Sequence, residues 1–232
     1  MMQSTENTTQ GAPKWAMHFD SFKQQFEAGK LGVWLFLASE VLFFSGLLAA
    51  YAIIRANYPE IFYYGQFFLD WRLGGANTVV LIMSSLFAAW SVRCAQLNQR
   101  RGLLFTIVMT ILLASAFLVI KYFEYSHKLH NGVAWGSSFA PTPEFMAALP
   151  EAARTLAAPE YVGRFFSVYY LATGLHGIHV LVGIGLYIWI FKRARRGEFS
   201  RENFLAVDGV ALYWHLVDMI WIFLFPLFYL IG

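Results

Sequence analysis

The sequence predicts an all-α membrane protein, a polytopic bundle of five transmembrane helices. Hydrophobic residues make up 58% of its 232 residues and charged residues only 13%, about half of the roughly 25% typical of soluble domains. Five apolar stretches each approach or exceed the ~20 residues that cross a hydrocarbon layer of ~30 Å. Since only a helix satisfies its own backbone hydrogen bonds there, these aromatic-rich stretches are expected to be helical. A soluble domain and a disordered chain are therefore excluded, and the single cysteine excludes a disulfide scaffold.

The predicted helices follow a polar N-terminal segment. Residues 1–30 are mixed in charge and lack the apolar core of a signal peptide, so they are expected to form a cytoplasmic tail ahead of one transmembrane domain at 31–232. The helices of that domain are expected at residues 31–54, 73–92, 103–125, 165–191 and 207–231.

The longest connection, residues 126–164, contains four prolines, and a short surface helix is expected within it at 144–149. Basic residues are distributed unequally between the connections. With the N-terminus inside, 11 of the 17 Lys and Arg lie in inner segments and five in outer ones, with the strongest bias at 192–201. The positive-inside rule then predicts an inner N-terminus, an outer C-terminus and an external 126–164 loop.

Ionisable residues within the apolar stretches are informative, because each costs about 2.5–3.5 kcal/mol at bilayer depth on insertion scales. Glu40 lies nine residues into the first predicted helix, about 13 Å from its inner end. No basic residue lies one turn away on its own helix. Two interpretations remain open: a proton-exchanging or paired group that faces a partner, and a neutral carboxyl that is hydrogen-bonded inside the bundle.

A second pair of ionisable residues lies near the outer end of the third helix. Lys121 and Glu124 are three residues apart and therefore share a helix face. An ion pair near the membrane interface explains them, although both side chains could also contact a neighbouring subunit.

The densest polar cluster is predicted on the last two helices. His176 and His179 on the fourth helix, and His215 and Asp218 on the fifth, each have i, i+3 spacing, and Tyr213 lies close by. Three imidazoles and a carboxylate would suit a zinc or non-haem iron site by ligand type. They would suit equally a closed hydrogen-bonded network without a metal.

Other functional classes find no support in the sequence. There is no Walker loop, no Gly-rich dinucleotide fingerprint and no G-x-S-x-G motif, so no catalytic residue is predicted. The net charge of +3 is small and scattered, which does not indicate a nucleic-acid partner.

Three long segments resemble the signatures of subunit III of haem–copper terminal oxidases. They are residues 32–46 (GVWLFLASEVLFFSG), 172–183 (ATGLHGIHVLVG) and 213–225 (YWHLVDMIWIFLF). The resemblance extends from about residue 29 to residue 232, in the order and topology of the family. One departure is clear: many family members have seven helices, whereas this chain has five and lacks the two that line one side of a lipid cleft.

The resemblance implies a non-catalytic subunit of a cytochrome c oxidase that binds no metal or haem itself. Haem and copper are then expected in partner subunits: the catalytic subunit I, which reduces O2 and pumps protons, and subunit II. Glu40 would be the carbodiimide-reactive carboxyl that supports proton uptake, and the His176/His179/Tyr213/His215/Asp218 group would be structural packing. Lys192 or Arg193 would contact lipid headgroups, and the chain would bind phospholipid.

The resemblance also implies a multi-pass protein of the bacterial inner membrane that stabilises the catalytic subunit and shapes lipid and O2 access to it. Membership of a larger respiratory supercomplex is left open. Subunit III of a quinol oxidase, or of a relative associated with nitric oxide reductase, is an alternative within this class. A self-sufficient metalloenzyme that uses the histidine cluster, or a proton channel with Glu40 as relay, is an alternative of another class.

Overall fold

The computed structural model describes residues 22–230. Within that range, five helices are long and apolar enough to cross a membrane, which confirms the predicted fold class and a multi-pass membrane protein. In chain order the helices are α1 (Phe22–Asn57), α2 (Pro59–Gly65), α3 (Trp71–Gln96), α4 (Arg100–His130), α5 (Pro143–Ala148), α6 (Glu151–Thr155), α7 (Val162–Arg196) and α8 (Leu205–Tyr229). The long helices are α1, α3, α4, α7 and α8.

The long helices extend beyond most of the predicted limits. The helix α1 begins at Phe22, so residues 22–30 continue the first helix and do not form a separate tail as predicted. Lys23 and Glu27 are exposed there and lie one turn apart, with Nζ 3.8 Å from Oε1. Hydropathy marks only the hydrocarbon-spanning part of a helix, which can continue into water with polar side chains. The predicted tail at 1–21 and the predicted last residue, 231, lie outside the described residues.

The connections that follow α1 and α4 contain more helix than the sequence predicts. The helix α2 was not expected, and it buries Ile61 and Phe62 against α7, where the Phe62 ring lies 5.2 Å from that of Phe165. In the 126–164 connection the predicted helix at 144–149 corresponds to α5, which Thr142 caps with its hydroxyl. Pro150 then separates α5 from a second short helix, α6. Proline favours the first turn of a helix, so one connection forms two short helices.

Four of the long helices form a closed bundle, and the fifth lies beside it. The helix α3 packs on α4 and α8, and α7 packs on α4 and α8, whereas α1 packs mainly on α8. Trp214 and Trp221 of α8 are fully buried in the bundle, and their indole N–H groups donate to Ser84 and Thr78 of α3. The bundle core therefore pairs large aromatic rings with small hydroxyl side chains on the facing helix.

Candidate functional site

Glu40 and His179 connect the peripheral helix α1 to the bundle. The Glu40 Oε2 atom lies 3.0 Å from His179 Nε2, and each side chain is 19% exposed. His179 Nδ1 lies 2.8 Å from the carbonyl of Leu175, which can only accept a hydrogen bond, so Nδ1 carries a proton. The Nε2–Oε2 contact therefore holds one further proton, either on the carboxyl or on the imidazole.

Aromatic side chains surround this pair. The His179 ring lies 5.0 Å from that of Phe44, which is buried, and 6.3 Å from that of Phe43. The hydroxyl of Tyr213 donates to the backbone carbonyl of His179 at 2.9 Å and not to an imidazole. Glu40 thus has a partner from another helix, which the sequence could not identify, and Tyr213 fixes the backbone beside it.

The predicted polar cluster of α7 and α8 does not form one network. His215 bonds through Nδ1 to the hydroxyl of Ser85 on α3 at 2.5 Å. His176 is fully buried between the rings of Phe117 and Trp221, and neither of its ring nitrogens has a described partner. Asp218 Oδ1 also lacks a described partner.

Helix geometry explains this separation. Residues three apart differ by about 60° around a helix, which is enough to place them against different neighbours at a junction of helices. His176 therefore faces Phe117 of α4, and His179 faces Glu40 of α1. Among residues 22–230, no three His, Cys, Asp or Glu side chains are placed to hold a metal ion. The ligand set considered from the sequence is thus divided among three places.

A buried ionic cluster lies near the C-terminal end of α4. Glu124 accepts from Lys121 at 2.9 Å and from Lys128 at 2.6 Å, and the hydroxyls of Tyr169 and Tyr229 donate to it at 2.8 and 2.7 Å. The charged side chains are at most 8% exposed. The predicted Lys121–Glu124 pair is present, but as part of this larger Glu124 cluster.

The sequence prediction omitted three members of the Glu124 cluster. Lys128 follows Glu124 by one turn, but the helix was expected to end at residue 125, so Lys128 was counted in the external loop. Tyr169 and Tyr229 come from α7 and α8. The sequence signal that could have indicated further members was the Lys121–Glu124 pair itself. A buried ion pair needs additional hydrogen bonds to offset its desolvation.

The two basic residues predicted at lipid headgroups differ in their contacts. Arg193 donates through Nε to Glu198 at 2.6 Å and stacks over Trp189, whereas Lys192 is exposed. The guanidinium of Arg193 lowers the pKa of the Glu198 carboxyl below its usual value, because it hydrogen-bonds to the charged form. Arg193 is therefore partly engaged within the chain.

Comparison with known proteins shows what the chain is related to. It is 32% identical to the cytochrome c oxidase subunit 3 of Synechocystis sp. over 201 residues, which cover 86% of this chain and 74% of that protein. The chain belongs to the cytochrome c oxidase subunit III family. The family profile, "Cytochrome c oxidase subunit III", matches residues 151–232. A probable cytochrome c oxidase subunit 3 of Nocardia farcinica is 29% identical over 205 residues, 87% of each chain.

The subunit III family also includes proteins named for another oxidase. The quinol oxidase subunit 3 of Bacillus spizizenii is 26% identical over 238 residues, which cover 100% of this chain and 98% of that protein. In the present subunit III chain, the profile match includes α7 and α8 and therefore His179, His215 and Asp218. The resemblance found in the sequence is thereby confirmed for the family.

Proposed function

We propose that this subunit III chain is a non-catalytic accessory subunit of a cytochrome c oxidase complex. It fits against the catalytic subunit, stabilises it, and shapes proton, lipid and O2 access to it. Reduction of O2 and proton pumping belong to the partner subunits I and II, which carry the haem and copper. The family relationship at 32% identity over most of the chain is the observation that carries this proposal.

The way in which the bundle uses its ionisable side chains supports a structural role. The charged groups of the Glu124 cluster bond to one another and to Tyr169 and Tyr229. The two ion pairs lie within α4, and the tyrosine hydroxyls join Glu124 to α7 and α8, so the cluster closes the outer end of the bundle. Side chains whose hydrogen-bonding groups are engaged with one another in this way connect helices and are not available to act on a substrate.

The Glu40–His179 pair supports the proposed role in proton uptake. It lies within the membrane-spanning part of α1 and is 19% exposed at the junction with α7. A carboxyl and an imidazole that share one proton can exchange it with a neighbouring group that approaches this junction. A catalytic subunit packed over α1 would supply that neighbour.

The proposal places the protein in the bacterial inner membrane, with the N-terminus inside and the C-terminus outside. The excess of basic residues in the inner segments supports this orientation. The expected partners are subunits I and II and membrane lipids, within the complex or within a larger respiratory supercomplex. Phospholipid is the ligand that this chain itself would bind, with its headgroup at Lys192 or Arg193.

A quinol oxidase is the second candidate complex. It is favoured by one observation: the Bacillus spizizenii quinol oxidase subunit 3 matches this chain over essentially the full length of both. The Synechocystis protein has additional sequence, since the match covers 74% of it. A chain of this length is therefore compatible with either electron donor.

The electron donor can be tested in membranes from cells with and without this chain. We expect O2 consumption driven by reduced cytochrome c to fall without the chain and to return when it is supplied. A fall in quinol-driven consumption alone would select the second candidate. No change with either donor would contradict both candidates.

The isolated chain tests the alternatives of another class. Stoichiometric zinc, iron or copper on the purified chain would support a metalloenzyme. Proton flux through liposomes that contain only this chain would support a channel. The proposed accessory role predicts neither result.

A further inference from the structure

A polar cavity of about 550 Å³ lies at the inner ends of the membrane helices. It is bounded by the last turn of α3, the turn that connects α3 to α4, and the segment that leads into α8. Its lining residues are Arg93, Gln96, Leu97, Asn98, Arg201 and Phe204. None of its lining residues belongs to the Arg193–Glu198 pair.

Two guanidinium groups in this cavity have no negative partner among residues 22–230. Neither Arg93 nor Arg201 forms an ion pair within residues 22–230, and the cavity lining contains no Asp or Glu from that range. Other arginines at this end are engaged: Arg100 donates to the carbonyls of Ala194 and Arg195 at the end of α7. The cavity therefore carries two positive charges that the described part of the chain does not neutralise.

The two sides of the cavity are fixed to each other. Asn98 adopts a left-handed backbone conformation with φ of 56°, and its Oδ1 atom accepts a hydrogen bond from the backbone N–H of Arg201 at 2.8 Å. This bond joins the α3–α4 turn to the segment before α8. The arrangement presents Arg93 and Arg201 from two separate elements toward one space, as a binding site for a single anion requires.

We propose that this cavity binds the phosphate group of an anionic membrane phospholipid. Guanidinium groups match phosphate oxygens in geometry and charge, and two of them without a carboxylate favour a headgroup with net negative charge. We assign a lipid and not a soluble phosphate because the cavity lies at the ends of two candidate membrane spans, α3, which ends at Gln96, and α8, which begins at Leu205. Leu97, which is 48% exposed, and Phe204 supply apolar surface for the glycerol and the start of the acyl chains.

Native mass spectrometry of the purified, delipidated complex tests this site. Phosphatidylglycerol and the zwitterionic phosphatidylcholine are added back, and retained lipid is counted. We expect the double variant R93Q/R201Q to retain phosphatidylglycerol about tenfold less tightly than wild type, the least expected when charge-assisted hydrogen bonds are lost. Wild type should retain phosphatidylglycerol in preference to phosphatidylcholine.

The double variant R101Q/R195Q is the matched control. It removes the same two charges from the same end of the bundle, but neither side chain lines the cavity. Lipid retention by this control should equal that of wild type. Equal loss in both double variants, or no loss in R93Q/R201Q, would overturn the site. Displacement of the lipid by excess inorganic phosphate or ATP would overturn the assignment to a phospholipid. Both double variants should be obtained in wild-type yield, since all four side chains are exposed.

Discussion

One proton determines the character of the contact between α1 and the bundle. Because His179 Nδ1 donates to the Leu175 carbonyl, Nε2 faces Glu40 either as an acceptor from a neutral carboxyl or as a donor to a carboxylate. Both states keep the hydrogen bond. The contact can therefore be a neutral hydrogen bond or an ion pair, with the same net charge and without a change in helix packing.

Two substitutions of Glu40 distinguish the effect of its hydrogen bond to His179 from the effect of its ionisable carboxyl. In Glu40→Gln the amide N–H can donate to His179 Nε2, so the bond between α1 and α7 persists and complex yield should stay near that of wild type. Glu40→Ala removes the bond and should destabilise the complex by about 1 kcal/mol, the scale of hydrogen bonds between membrane helices. Thermal unfolding of the two purified variants makes the comparison. A Gln variant that was as unstable as the Ala variant would contradict this account.

In the Glu124 cluster, removal of the carboxylate should cost more stability than removal of one ammonium group. Glu124→Gln leaves two buried ammonium groups without a counter-charge, so we expect a loss of about 3–5 kcal/mol and little assembled complex. Lys121→Met leaves the ion pair of Lys128 and Glu124, which has no net charge, intact and should lower the yield of complex less. Yields of the two variants from the same membranes provide the measurement. Equal yields would mean that the cluster does not behave as one carboxylate shared by two cations.

The individual side chains of the site could be identified from the sequence, but their partners could not. Glu40, His176 and Asp218 stand out because an ionisable group is costly in hydrocarbon. Which group each one meets depends on the rotation of its helix and on which helices are neighbours. The i, i+3 spacing fixes an angle of about 60° between His176 and His179, but it does not say which neighbouring helix lies in each of the two directions.

At the scale of the helices, close contact between α7 and α8 depends on Gly183. A Cβ atom at this position would lie 2.6 Å from the buried ring of Trp214, so Gly183→Ala requires the helices to shift. We expect a loss of about 1–3 kcal/mol, typical of overpacking.

The matched control is Gly185→Ala, two residues along the same helix. No atom lies within 4 Å of a Cβ placed at Gly185, so this variant should be as stable as wild type or slightly more stable, since alanine favours a helix. Thermal unfolding of both variants distinguishes a packing effect from a general effect of glycine in α7. Equal stability of the two would contradict the proposed contact.

The number of long helices could be predicted from the sequence, because the hydrocarbon layer sets their minimum length. Their ends could not. The helix α1 already begins at Phe22, before Lys30, and α4 continues past residue 125 to His130. A helix that extends from the membrane into water needs no apolar side chains there, so hydropathy does not mark its end. The short helix α2 was missed because its seven residues are too few to show a clear apolar pattern, yet it buries Ile61 and Phe62 against α7.

At the scale of the whole molecule, the distribution of basic residues predicts the orientation in the membrane. A cysteine in place of the exposed Ser138 should react with an impermeant maleimide added to intact cells, because the 126–164 connection is expected outside. Glu202→Cys should react only after the membrane is opened. The native Cys94 is buried and should contribute little labelling. The reverse labelling pattern would show the opposite orientation.

This bundle works as part of a larger oxidase and does not act alone. The charges of the Glu124 cluster are bonded within the chain, and the α1 helix leaves a broad apolar face uncovered, with Trp34, Leu35 and Leu42 at least 60% exposed.

Affinity purification of the tagged chain from mildly solubilised membranes tests this claim most directly, with the co-purifying subunits identified by mass spectrometry and the haem measured by absorption. The account predicts a haem-containing complex with the catalytic oxidase subunit in equal amount to this chain. A stable chain recovered without other subunits and without haem, from membranes in which the oxidase is intact, would contradict it.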